Sequence, residues 1–368
     1  MNEAAVTTSP PLFADVLRSV KGRLSNVQQL RLHWERHHRS GMNLRQHPIW
    51  SLVAEVWPTI GPRLRSLSFD MPLTALTAFI ATLAPITWPT NIRQLDITFN
   101  ADQISVWHTA ASEDDIHTLL TFVHGHSSIL ESLSITTYDH VNLSPFFSKL
   151  GYLPCLTTLS LIIPFDVHHV LDPSAFNQVL INHPDIHSLT IQNRFTNCCG
   201  TWQTPTNVVS DEWVRQCFEG VNPAQLKEFK LGVSCASGIT RCMLLAMKPL
   251  CFALSSLTII EPCLTWESLS NMLRSLQLGS LKVLSLFIYV LDSDFVDLLV
   301  ESCPNLQHLT LDIERVGLLN ENLNYDFNRF LDEEVSQIPI LSMITLYPEN
   351  PFQGRIHRIN SKQKPSVT

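Results

Sequence analysis

"ILESLSITTYDH" (residues 129–140), "CLTTLSLIIPF" (155–165) and "NLQHLTLDIE" (305–314) share few words, yet one spacing runs through all three. An aliphatic residue is followed by a second three places on and a third two places further. These are Leu130, Leu133 and Ile135; Leu156, Leu159 and Leu161; Leu306, Leu309 and Leu311. The phrase recurs eleven times, its middle residue falling at Leu30, Leu67, Leu95, Leu133, Leu159, Leu189, Phe229, Leu257, Leu284, Leu309 and Ile344. Side chains alternate along a strand, so the middle and last apolar residues point to one face and the residues between them to the other. Each phrase therefore predicts a strand with one buried face.

Between phrases the apolar period becomes helical. Ile116, Leu119, Leu120 and Val123 share one helix face, as do Leu269, Met272, Leu273 and Leu276. Ser112 with Asp115 has the spacing of a capping box, and Ser210 and Thr265 are placed to start two further helices. Gly125, Gly151, Gly220 and Gly279 follow such segments, where a left-handed residue ends a helix. Pro62, Pro89, Pro154, Pro184, Pro223 and Pro304 stand shortly before the next strand and block further helix. Each unit reads strand, turn, helix, turn.

One such unit cannot bury a strand face and a helix stripe by itself; stacked copies can. Strands lie about 4.8 Å apart and helices are about 10 Å wide, so a stack must curve with its strands inside. The predicted fold is α/β, a right-handed leucine-rich-repeat solenoid: a horseshoe with a parallel sheet on its concave face and helices on its convex face. A (β/α)₈ barrel has units of similar length, but eleven phrases are too many for eight strands. Phe13, Val16, Leu17 and Val20 form a helical stripe suited to an N-terminal cap within residues 1–26. The solenoid is expected over 27–348. The tail 349–368 carries Arg355, Arg358, Lys362 and Lys364 with no acid after Glu349, and is expected to lack order.

Hydrophobic residues make up 45% of the 368 and charged residues 16%, which supplies a long core and excludes general disorder. A net charge of −8 argues against a nucleic-acid partner, whose phosphates require cations. No uninterrupted apolar run is long enough for a membrane helix, and residues 1–20 lack the pattern of a secretory signal. Nine scattered cysteines without a C-x-x-C read as free thiols of a reducing compartment, cytoplasm or nucleus.

"CPNLQHLTL" (303–311) resembles the repeats of F-box/leucine-rich-repeat proteins, and the irregular unit lengths resemble fungal members in particular. The resemblance spans roughly residues 13–347. It implies substrate recognition for an SCF-type ubiquitin ligase, with a Skp1-like protein as partner if an F-box is supplied or hidden. The F-box itself is not evident, because the stretch before the first strand phrase is too short for one. The Asn of the consensus L-x-x-L-x-L-x-x-N occurs once, at Asn100; Tyr138, Pro164, Arg194, Ser234, Pro262, Tyr289 and Glu314 stand there elsewhere. No consensus Asn ladder is expected.

The strand register defines the candidate binding face. Its central column runs Arg31, Ser68, Asp96, Ser134, Ser160, Thr190, Lys230, Thr258, Ser285, Thr310 and Thr345, mostly small hydroxyl residues suited to an exposed sheet. In the C-terminal half Ile260, Val283, Phe287, Met343 and Tyr347 should share this concave face. They form either a protein or peptide site or a surface covered by a segment such as Tyr325–Leu331. "RLHWERHHRSGMNLRQH" (31–47) is rich in Arg and His; Arg31, Arg36 and Arg39 are a candidate patch for an acidic partner, or a solvated loop.

The sequence offers little that could carry catalysis or hold a cofactor or metal. "HWERH" (33–37) has its Glu misplaced for H-E-x-x-H, and His124/His126, His168/His169 and His183/His187 each lack a third ligand nearby. "GVSCASG" (232–238) reads as a turn, and Cys235 has no adjacent base. No nucleotide-binding or hydrolase motif is present. The expectation is a non-enzymatic interaction module without cofactor or metal. An enzyme or enzyme activator on the same scaffold, or an F-box-family product without ligase role, are the alternatives.

Overall fold

The computed structural model describes residues 26–33, 49–83, 91–99, 113–137, 142–163, 169–192, 211–221, 225–232, 253–260, 266–276, 278–290, 293–315, 343–348 and 358–360. The chain divides into two compact units, Met1–Ile163 with His168–Leu171, and Pro164–Val167 with Asp172–Thr368.

In the first unit β1 (Gln29–His33), β2 (Ser66–Met71), β3 (Gln94–Phe99), β4 (Ser132–Thr137) and β5 (Thr158–Ile162) pair in chain order, every pair parallel. Their register joins Leu30, Leu67, Leu95, Leu133 and Leu159 into one row, and Leu32, Phe69, Ile97, Ile135 and Leu161 into the next. From β2 onward both rows are fully buried. Helices α1 (Ile49–Ile60), α2 (Leu73–Leu83), α3 (Glu113–His124) and α4 (Ser144–Lys149) connect successive strands and pack in the same order. The predicted stripe Ile116, Leu119, Leu120 and Val123 is the buried face of α3. Phe79 on α2 holds the aromatic part of this core together. Its ring centroid lies 5.8 Å from Trp50, 5.6 Å from Trp57 and 5.1 Å from Phe69, all edge-on.

The second unit continues the grammar with α5 (Pro173–Asn182), β6 (Ser188–Gln192), α6 (Asp211–Phe218), β7 (Glu228–Gly232), β8 (Ser256–Ile259), α7 (Trp266–Ser275), β9 (Val283–Val290), α8 (Ser293–Ser302), β10 (His308–Arg315) and β11 (Met343–Pro348). Strands β6 to β11 are parallel and sequential, and the register unites Leu189, Phe229, Leu257, Leu284, Leu309 and Ile344. Leu269, Met272, Leu273 and Leu276 are buried on α7. All eleven phrases are strands, and each unit is an α/β solenoid segment. Within the tail 349–368, Arg358–Asn360 form β12, antiparallel to β11, and the rest of the tail lies outside the described residues. The antiparallel partner satisfies amide and carbonyl groups at the edge of β11. The expected cap helix at 13–20 and the covering segment 325–331 lie outside the described residues.

The prolines do more than stop helices. Each of Gly61, Leu153, His183 and Cys303 accepts, through its carbonyl, the amide three residues on, at 3.1–3.3 Å, and the residue directly after each acceptor is a proline: Pro62, Pro154, Pro184 and Pro304. Proline's fixed φ suits the second position of such a turn. After the turn, the carbonyls of Gln28, Arg65, Arg93 and Glu131 in the first unit each accept two consecutive amides of the next repeat. The carbonyls of His187, Lys227, Ser255 and Lys282 do the same in the second, and all these bonds measure 2.8–3.0 Å.

Side chains extend this ladder, at the opposite strand end from the consensus Asn. Asn91 donates to the Pro62 carbonyl at 2.6 Å, Cys155 to Ser128 at 3.2 Å and Asn305 to Gly279 at 2.6 Å. Each donor stands four residues before the middle apolar residue of its phrase and reaches the preceding repeat.

Helix ends follow the sequence reading in part. Asp172 caps α5, accepting from the amides of Ser174 and Ala175 and from the Ser174 hydroxyl. Helices α3, α6 and α7 begin one residue after Ser112, Ser210 and Thr265, which themselves lie outside the described residues. Of the four glycines, Gly151 (φ 66°) and Gly220 (φ 71°) are left-handed. Asp115, expected in a capping box, is buried on α3 and accepts the Thr77 hydroxyl of α2 at 2.8 Å. That bond fixes neighbouring helices to each other.

Candidate functional site

The strand face opposite the buried rows differs between the two units. In the first it is polar and bonded to itself. Ser68 donates to Asp96 at 3.2 Å, and His33 shares a 2.8 Å hydrogen bond with Asp70. Thr98, Ser134 and Ser160 lie on the same surface, with Ile162 as an apolar exception. Arg31 is exposed on β1, in register with Ser68, which is itself in register with Asp96. Two carboxylates, Asp70 and Asp96, share the face with this one guanidinium, so the described part of the candidate patch is mixed in sign. Arg36 and Arg39 lie outside the described residues.

In the second unit the corresponding face is partly apolar. Val283 begins β9 and Phe287 lies four residues along it; both are half-buried, while Leu284, Leu286 and Ile288 between and beyond them are closed to solvent. That alternation fixes the side on which Phe287 stands. Ile260 follows β8, its amide bonded to the Leu231 carbonyl at 2.8 Å, and its side chain is half-buried. Beside it Gly232 has no side chain: a Cβ there would meet the Ile260 carbonyl at 3.1 Å and Gln192 Cγ at 3.3 Å. The missing Cβ lets Gln192 and Ile260 close toward one another across β7. Met343 and Tyr347 take register positions on β11 opposite His308 and Asp312 of β10.

The central column of this unit, Thr190, Lys230, Thr258, Ser285 and Thr310, is half-buried and in register throughout. Asp312 stands one step beyond, in register with Phe287 on one side and Tyr347 on the other. Its carboxyl is raised above the usual range by burial alone. Sequence inspection passed over Asp312, because an acid in a strand phrase reads as a solvated residue until its neighbours across the sheet are known.

The paired histidines have structural roles where the residues are described. His124 donates from Nε2 to the Leu150 carbonyl at 2.7 Å. The Nδ1 atoms of His126 and His183 donate to the carbonyls of Phe122 and Val179, one helical turn back, at 2.9 and 2.6 Å. His126, His169 and His183 are buried. Burial lowers the His183 pKa, against the opposing pull of its bond to Val179. Cys155, Cys217 and Cys303 are free thiols, and burial pushes Cys303 up to about 12, far from a reactive thiolate. Among the described residues no three His, Cys, Asp or Glu side chains gather as a metal site, and no helix is long and apolar enough to cross a membrane.

No family model and no curated protein matches the chain. A leucine-rich repeat-containing protein of Legionella pneumophila, LegL7, is similar in structure, with a TM-score of 0.50 and 17% identity over 89% of this chain and 92% of that one. The chain has the leucine-rich-repeat fold. A more distant likeness is to the structure of the yeast Rad7 and Elc1 complex, with a TM-score of 0.40 and 13% identity over 86% of each chain. At these identities the likeness concerns the fold alone, and neither bears on the fungal F-box resemblance.

Proposed function

We propose that the chain is a protein-interaction scaffold whose partner docks on the open strand face of the second unit. Ile260, Val283 and Phe287 are the anchors, and Met343 and Tyr347 on β11 continue the same rows. The observation that carries this reading is the contrast between units: three half-exposed apolar side chains here, against a hydrogen-bonded polar surface in the first. Apolar side chains gathered among small hydroxyl residues have the make-up of an interface core with a polar rim. Substrate recognition for a ubiquitin ligase is the narrower form of this function that the F-box resemblance suggests, and it requires a Skp1-like partner.

A photo-crosslinking residue placed at Phe287 in the intact chain tests the site, with the same residue at Val300 as control. Val300 is 42% exposed on α8, away from the strand face. Crosslinking to discrete proteins of the native extract from position 287, and not from 300, is the expected outcome. Adducts from position 300 alone, or equal adducts from both, would end the reading. Recovery of a Skp1-like protein with the full-length chain decides the ligase question separately.

A further inference from the structure

Resting on that reading of the face, the chemistry of its partner follows from Asp312. Its carboxylate sits half-buried in the middle of the apolar rows. Among the described residues no cation or hydrogen-bond donor is paired with it, and its shift has no cause besides lost hydration. A charge partly removed from water and left without a counter-charge is costly in the free protein. Whatever brings a cation to it recovers that cost.

We propose that Asp312 receives a lysine or arginine side chain from an extended basic segment of a protein partner, the alkyl stem lying on Ile260 and Phe287. Three features fit. Neighbouring strands are about 4.8 Å apart, so a cation on Asp312 lies within the roughly 6 Å reach of the Phe287 ring face. Lysine and arginine both carry an apolar stem that packs on aliphatic and aromatic surface while the head stays polar. Ser285 and Thr310, beside Phe287 and Asp312 on the same face, offer hydroxyls to the remaining donors. The net charge of −8 favours encounter with a basic segment over an acidic one.

The test is to pan a display library of random short peptides on the full-length chain, then measure the selected peptides against the Asp312→Asn and Phe287→Ala chains. Asp312→Asn keeps the side-chain shape, and a urea midpoint that is unchanged or raised shows that it folds. Selected peptides are expected to hold one Lys or Arg at a fixed place beside apolar residues. The Asp312→Asn chain should bind them about tenfold more weakly. Replacing the peptide cation by Gln should cost the native chain the same factor and the Asp312→Asn chain almost nothing.

Peptides without a fixed cation, or binding within about twofold on Asp312→Asn, overturn the cation subsite; sensitivity to Phe287→Ala would then leave the face itself standing. Peptides indifferent to both substitutions, or no enrichment at all, overturn the subsite and the face together. If the full-length chain carrying Arg355→Gln and Arg358→Gln binds the peptides more tightly, the chain's own basic tail occupies Asp312, and an external partner as its resident is refuted.

Discussion

Leu286 and Phe287 are adjacent on β9, yet alanine should act on them in opposite ways. Leu286 is 1% exposed in the buried row, while Phe287 stands half-exposed on the open face. Leu286→Ala removes three buried carbons, about 2.4 kcal/mol at 0.8 per carbon, and the cavity left behind raises the loss to about 3–4 kcal/mol. With a urea dependence of about 2 kcal/mol per molar, the unfolding midpoint should fall by about 1.5–2 M. Phe287→Ala removes more carbon but leaves no enclosed cavity, and should cost less than about 1 kcal/mol, a shift under about 0.5 M. Equilibrium urea unfolding followed by circular dichroism reads both. Should the two midpoints fall alike, Phe287 is a core residue: β9 is slipped by one position, or another segment lies over it, and the open face is lost as a site.

Three further outcomes follow from named contacts. Phe79→Ala, which removes the ring touching Trp50, Trp57 and Phe69, should destabilise the first unit by about 3–5 kcal/mol, read as a urea midpoint loss larger than that of any surface substitution. Asn305→Ala deletes one rung joining consecutive repeats and should cost about 1 kcal/mol, with faster amide exchange at Leu306 to His308; unchanged exchange there would show the rung to be idle. His183 has its folded pKa held below the ordinary 6.5, so on acidification the unfolded chain takes up the proton first. Stability of the second unit should therefore fall as the pH drops below about 6.5 and be flat above it. His183→Leu, which places at that turn the residue found at Leu153 and Leu278, should flatten the profile; an unaltered slope would assign the acid sensitivity to other groups.

The strand rows were legible because each repeat must solve the same burial problem, so its answer is written eleven times at one spacing. Leu133 and Leu284 could be matched across a long stretch of chain without knowing what lies between them. The interrepeat rungs were missed because the position of Asn91, Cys155 and Asn305 holds no constant residue type from phrase to phrase, being Ile129, Asp185 and Ser280 elsewhere. What the rungs share is a donor reaching a backbone carbonyl, which the letters do not display. The hydrogen bonds of the paired histidines were hidden for a related reason: a helix-end imidazole bonded to the carbonyl four residues back is spelled like a surface one. Asp312 shows the limit most clearly. Its isolation depends on the absence of a cation on the strands beside it, a property of the register rather than of its own phrase.

Within each unit the strands must lie side by side in chain order, since only then do their outer residues form one face. Spin labels at Arg31 and, in turn, Ser68, Asp96, Ser134 and Ser160 measure this directly within the first unit. Label separation should grow at each step by about 4.8 Å, the backbone spacing reaching about 19 Å from β1 to β5. A separation that shrinks at any later step, or grows out of chain order, would contradict it.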